Sequence, residues 1–132
     1  MAGYLSKEAI FEAEDREFAD VPVPEWGGVV RIRSITGTQR DAYESSLIDE
    51  RGSDRKMNLR NARAKLIVLC AIDEAGQPIF TADDVNRLGR RNAKPLDRLF
   101  NECKKITGLT DEDVDGLVKD FGATPDEPSL TE

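Results

Sequence analysis

The 132-residue sequence predicts a mainly α fold: a small N-terminal β-hairpin followed by a compact bundle of about five helices, with flexible acidic termini. Three observations predict it. Between Val29 and Ile35 apolar and polar residues alternate, the period of a strand with one face on a core. Further on, apolar residues return every three or four positions, as amphipathic helices require. Finally, Thr36, Thr81 and Thr110 each stand just before such a stripe, as helix N-caps do.

The first 16 residues read as a mobile or weakly helical arm. Ser6 with Glu8 and Glu12 is a short helix start, but Tyr4, Leu5, Ile10 and Phe11 fall into no core register. From Phe18 to Val23 the apolar residues Phe18, Val21 and Val23 indicate an extended strand. Pro22 and Pro24 confine it to a sheet edge, because proline donates no ladder hydrogen bond. The Glu25–Gly28 stretch makes the turn. In the return strand Val30, Ile32 and Ile35 face inward, while Arg31 and Arg33 face water.

Thr36 with Gln39 three residues later forms a capping box, followed by the stripe Ala42, Tyr43, Leu47 and Ile48. Residues 51–54 are a loop. Asn58 to Ile72 predicts the central helix, with Ala62, Leu66, Leu69 and Cys70 on one face and Ile67, Val68 and Ile72 making its second half apolar nearly all round. A turn at residues 73–78 leads to a short helix over 82–88. Pro95 then opens the helix carrying Leu96, Leu99, Phe100, Cys103 and Ile106, which Gly108 closes. A last stripe runs Val114, Leu117, Val118 and Phe121. The expected organisation is an arm at 1–16, one globular domain at 17–121 (hairpin 17–35, helices 36–121) and a disordered acidic tail at 122–132.

The chemistry is sparse. Histidine is absent, so the commonest general base and metal ligand is missing. Cys70 and Cys103 lack metal-site spacing and sit in apolar stripes, which predicts reduced core thiols. Asp83, Asp84 and Asp111 to Asp113 stand at helix starts, where acids complement the helix dipole. No catalytic, cofactor or metal site is expected, and no enzyme activity. The longest apolar run, Leu66 to Ile72, cannot span a bilayer, and no secretory signal opens the chain. The expected location is the cytoplasm.

The net charge is −7, which repels nucleic acid and anionic lipid. Its distribution is uneven. Residues 1–25 carry seven acids and two bases, residues 51–65 six bases and one acid, and residues 110–132 eight acids and one base. Solvated helix faces explain this pattern, and so does head-to-tail self-association of acidic ends with a basic middle. Arg87, Arg90, Arg91 and Lys94 around Gly89 outline a helix-turn-helix, although no aromatic residues interleave them.

The run from Asp20 to Arg40 joins Val21-Pro22-Val23-Pro24-Glu25-Trp26-Gly27, Val30-Arg31-Ile32-Arg33 and Thr36-Gly37-Thr38-Gln39-Arg40. It resembles the opening of tail assembly chaperones from long-tailed bacteriophages. The helix and turn from Ala64 to Phe80, the following Thr81 to Leu88 and the Leu99 to Leu109 stretch are similar too, so the resemblance covers Phe18 to Phe121. It implies a protein that binds the tape measure protein and keeps it soluble in the bacterial host cytoplasm while the tail is built. It also implies absence from the mature virion, self-association, and a longer frameshifted product departing from about Gly122. Two other functions stay open: a head–tail connector or completion protein retained in the virion, and a small DNA-binding regulator using Arg87 to Lys94. For the chaperone, the candidate partner contacts are Tyr4, Leu5, Ile10 and Phe11 of the arm, and Trp26 at the hairpin tip. The arm either reaches a partner, docks on its own domain or is unstructured; Trp26 either packs on the core or anchors a partner.

Overall fold

A computed structural model describes residues 3–49, 56–57 and 59–109. Among these, helix α1 (Lys7–Glu12) precedes the hairpin of β1 (Phe18–Val23) and β2 (Gly28–Arg33). Next come α2 (Gly37–Ser46), β3 (Ile48–Asp49), β4 (Lys56–Met57), α3 (Ala62–Cys70) and β5 (Ala71–Ile72). A 3-10 turn at Ala82–Asp84 leads into α4 (Val85–Gly89), and α5 (Ala93–Thr107) follows. The mainly α class with a small hairpin is what the sequence predicts. The helix expected over residues 111–121 and the tail at 122–132 lie outside the described residues.

The hairpin is antiparallel, with Val21 opposite Val30 and Ala19 opposite Ile32. One face therefore carries Ala19, Val21, Val23, Val30 and Ile32. Val21, Val23 and Ile32 are buried there, under α3 and α5. The register also places Phe18. It stands one residue out of phase with Val21, so it falls on the outer face, 56% exposed. Arg33 is corrected: it is half-buried and Nη1 donates to Gly76 O at 3.3 Å. The prolines keep β1 at the sheet edge, as expected, in the order β1-β2-β5.

The third strand is the main departure from the sequence pattern. The central helix begins at Ala62 and ends at Cys70, inside the expected 58–72. Ala71 and Ile72 turn extended and pair with Ile32 and Arg31 of β2. Ala71 is fully buried, so its backbone needs partners inside the protein, and the free edge of β2 supplies them. The turn that follows is held by Asp73, whose Oδ1 accepts from Ala75 N at 2.8 Å and Gln77 N at 3.0 Å.

Helix α2 starts as its sequence dictates. Gln39 N donates to Thr36 Oγ1 at 3.1 Å, and Thr36 N donates to Gln39 Oε1 at 2.9 Å. Thr36→Ala should cost about 1 kcal/mol in a urea melt; an unchanged midpoint would remove the box from the stability account. Of the α2 stripe, Tyr43 and Leu47 are buried, Ala42 is exposed, and Ile48 belongs to β3. Pro95 is the third residue of α5, which begins two residues earlier than expected, and Gly108 closes that helix in the left-handed region at φ 78°.

The core gathers around α3. Leu66, Ile67 and Cys70 have no exposed surface, and they share one buried cluster with Leu99 and Cys103 of α5, Tyr43 of α2, Leu47 just after it and Leu88 of α4. The Tyr43 hydroxyl donates to Ala62 O at 3.2 Å, and burial pushes its pKa up to about 12. Both cysteines are free and buried, as the sequence predicts. A hydrogen bond with Cys70 and the dry surroundings push the Cys103 thiol far above its ordinary range, so it behaves as an unreactive core group.

Candidate interaction surface

Helix α1 is formed by its cap. Ser6 Oγ accepts from Ala9 N at 3.1 Å, and Ile10 N donates to Ser6 O at 3.0 Å. No residue of α1 is buried. Tyr4 is fully exposed, Leu5 70%, Ile10 54% and Phe11 79% exposed, and none of the four joins the core cluster. These four apolar side chains are therefore left in water rather than in the core.

The arm's base, by contrast, is fastened. Arg16 donates to Ser34 O from Nε at 2.9 Å and Nη2 at 2.6 Å. Ser34 N donates to Glu17 O at 2.8 Å, and Glu17 N donates to Ser34 Oγ at 2.9 Å. Ser34 is the buried polar residue at the end of β2, and these bonds satisfy it. The arm thus leaves the domain from a defined point.

Trp26 differs from the arm residues. It lies in the 3-10 turn Pro24–Trp26 at the hairpin tip, partly buried and packed against the core. Beside it, Glu25 accepts from Arg98 of α5 through both carboxylate oxygens, at 2.6 and 2.7 Å. That bidentate bond holds the Glu25 carboxyl at about 2, below its ordinary 4.5. Because the folded value is depressed, the pair's contribution is present above about pH 4.5 and is lost as pH falls towards about 2. Arg98→Ala should flatten the acid slope of the urea midpoint over that window. Identical slopes in the two proteins would exclude the pair as its source.

Sequence reasoning passed over two further members of the exposed apolar surface, Phe18 and Val29 (63% exposed), on the outer face of the hairpin. Only the strand register reveals them. Among the described residues, no group of histidine, cysteine, aspartate and glutamate side chains could hold a metal, and no helix is long and apolar enough to cross a membrane.

A family model described as phage tail assembly chaperone matches residues 6–119. The chain belongs to the phage tail assembly chaperone family. Members of this non-enzymatic family act during tail assembly in the host. The match takes in α1 and the hairpin as well as the helices. Among solved structures, the chaperone resembles the tail assembly chaperone of bacteriophage HK97 at a TM-score of 0.53 and 20% identity, over 69% of this chain and 85% of that one. At that identity the likeness is one of fold. No curated protein matches the sequence.

Proposed function

We propose that this tail assembly chaperone binds the tape measure protein and keeps it soluble until the tail tube encloses it. The observation that carries the reading is α1, a helix with no buried residue whose apolar side chains lie free of the core. A client that is long, helical and aggregation-prone needs its apolar stripes covered, and short apolar helices cover such stripes by helix-to-helix packing. Each such contact is weak. Several copies along one client multiply it, since every bound copy holds the next at high effective concentration. The acidic residues around the arm keep the assembly in solution. In this reading the protein acts in the host cytoplasm and is absent from the finished particle.

Co-expression of the full chain with the tape measure protein of the same phage tests the proposal. The expected result is a soluble client that co-purifies with the chaperone. An insoluble client without a complex would overturn the reading. Mass spectrometry of purified particles provides a second check, since a chain retained in the virion would be a connector or completion protein.

A further inference from the structure

Arg87, Arg90 and Arg91 line an open cleft of about 510 Å³ at the junction of α4 and α5. Its apolar wall comes from Ile79, which is 45% exposed, the partly buried Phe80 and the buried Leu88. Asp84 also lines it, but its Oδ2 already accepts from Thr81 N at 2.9 Å. Among the described residues none of the three arginine side chains forms an ion pair or hydrogen bond. Three unpaired guanidinium groups beside an apolar wall suit an acidic peptide that also brings apolar side chains. We propose that this cleft is the docking site for the chain's own acidic segment, residues 120–132.

Charge and chain length select this occupant. Residues 120–132 contain Asp120, Asp126, Glu127 and Glu132 and no base, with Phe121 and Leu130 as apolar members. The described structure ends at Leu109, past the far end of α5, while the arginines lie just before its start. Helix α5 has 15 residues, so the segment must return over about 22 Å. The nearer acids have no slack for this return: Asp115 follows Leu109 by six residues and extends at most about 20–22 Å, only when the chain is fully straight. Asp120 and the acids beyond it have the reach. The segment in place would neutralise the charge of Arg87, Arg90 and Arg91 and cover Ile79.

The test uses the full chain carrying Ser129→Cys with a nitroxide on the new thiol. Cys70 and Cys103 are buried and escape the label. The expected result is loss of amide signal at Phe80, Arg87, Arg90 and Arg91 in an isotope-labelled sample. It should recover when salt is raised to about 0.5 M, where exposed charges are screened within a few ångströms. Recovery should also follow R87E/R90E/R91E, and separately D126N/E127Q, which changes none of the described residues. Undiminished signals in the parent protein, or broadening that both variants preserve, would overturn the proposal. In a mixture of spin-labelled unenriched chains with unlabelled enriched chains, the signals should persist. Broadening there would place the segment on a second copy and overturn the intramolecular docking. A DNA duplex that shifts the arginine amides of a protein lacking the spin-label effect would assign the cleft to nucleic acid instead.

Discussion

Leu66→Ala should remove about 3 kcal/mol of folding stability. The side chain has no exposed surface and sits in the middle of α3, the element against which α2, α4, α5 and the hairpin all pack. Truncation removes buried methyl groups from contact with several elements at once. Those elements are fixed by hydrogen bonds that restrain collapse into the gap, such as Tyr43 to Ala62 and the β2–β5 ladder. The cost therefore includes a cavity term as well as the lost transfer energy. Domains of this size hold about 5–15 kcal/mol in total, so one such change takes a large share. Urea melts followed by circular dichroism should show the midpoint falling with an unchanged slope. A loss below about 1 kcal/mol, smaller than core truncations usually cost, would mean that α3 is not the centre of the core.

The triple variant L5S/I10S/F11S should do the reverse. All three side chains are mostly exposed and none joins the core, so folding stability should stay within about 0.5 kcal/mol of the parent. If α1 is the client-binding element, the same variant should lose its client. Each apolar side chain buried on a partner contributes about 1.5 kcal/mol or more, and about 1.4 kcal/mol is a factor of ten. Co-purification of the tape measure protein should fall by at least about tenfold and the client should precipitate. Full client solubility with the triple variant would reject α1 as the contact. A large drop in its melting midpoint would instead show that the arm supports its own domain. Together the two variants separate a defect in folding from a defect in binding.

The elements that were legible in the sequence are those whose hydrogen bonds close within three or four residues. Thr36 and Gln39 cap α2 as their spacing dictates, and Ser6 starts α1. Gly108 closes α5 because that position requires a left-handed backbone, which glycine adopts without cost. Pro22 and Pro24 put β1 at the edge because they lack a donor. The buried thiols and the uncommitted register of Tyr4, Leu5, Ile10 and Phe11 were likewise visible in local patterning.

What tertiary structure decided lies in contacts between distant segments. The stretch Leu66 to Ile72 is apolar throughout, and in such a run periodicity cannot tell a buried helix from a buried strand. The free edge of β2, forty residues earlier in the chain, divides it: helix through Cys70, strand at Ala71 and Ile72. Phe18 helped mark the strand, but its face is set by register: it lies an odd number of residues from Val21 and therefore points away from the core. Glu25, next to Trp26, pairs with Arg98 of a distant helix, which no local pattern encodes. In sequence Arg87, Arg90 and Arg91 show only the outline of a helix-turn-helix. Folding brings Ile79 and Phe80 beside them and makes a cleft. The sequence by itself determined the composition of each element, its caps and its amphipathic stripes, because these depend on neighbours a turn away. Only the tertiary structure decided which edges, faces and charges meet, because an unpaired backbone or side chain is satisfied by whatever the fold places opposite it.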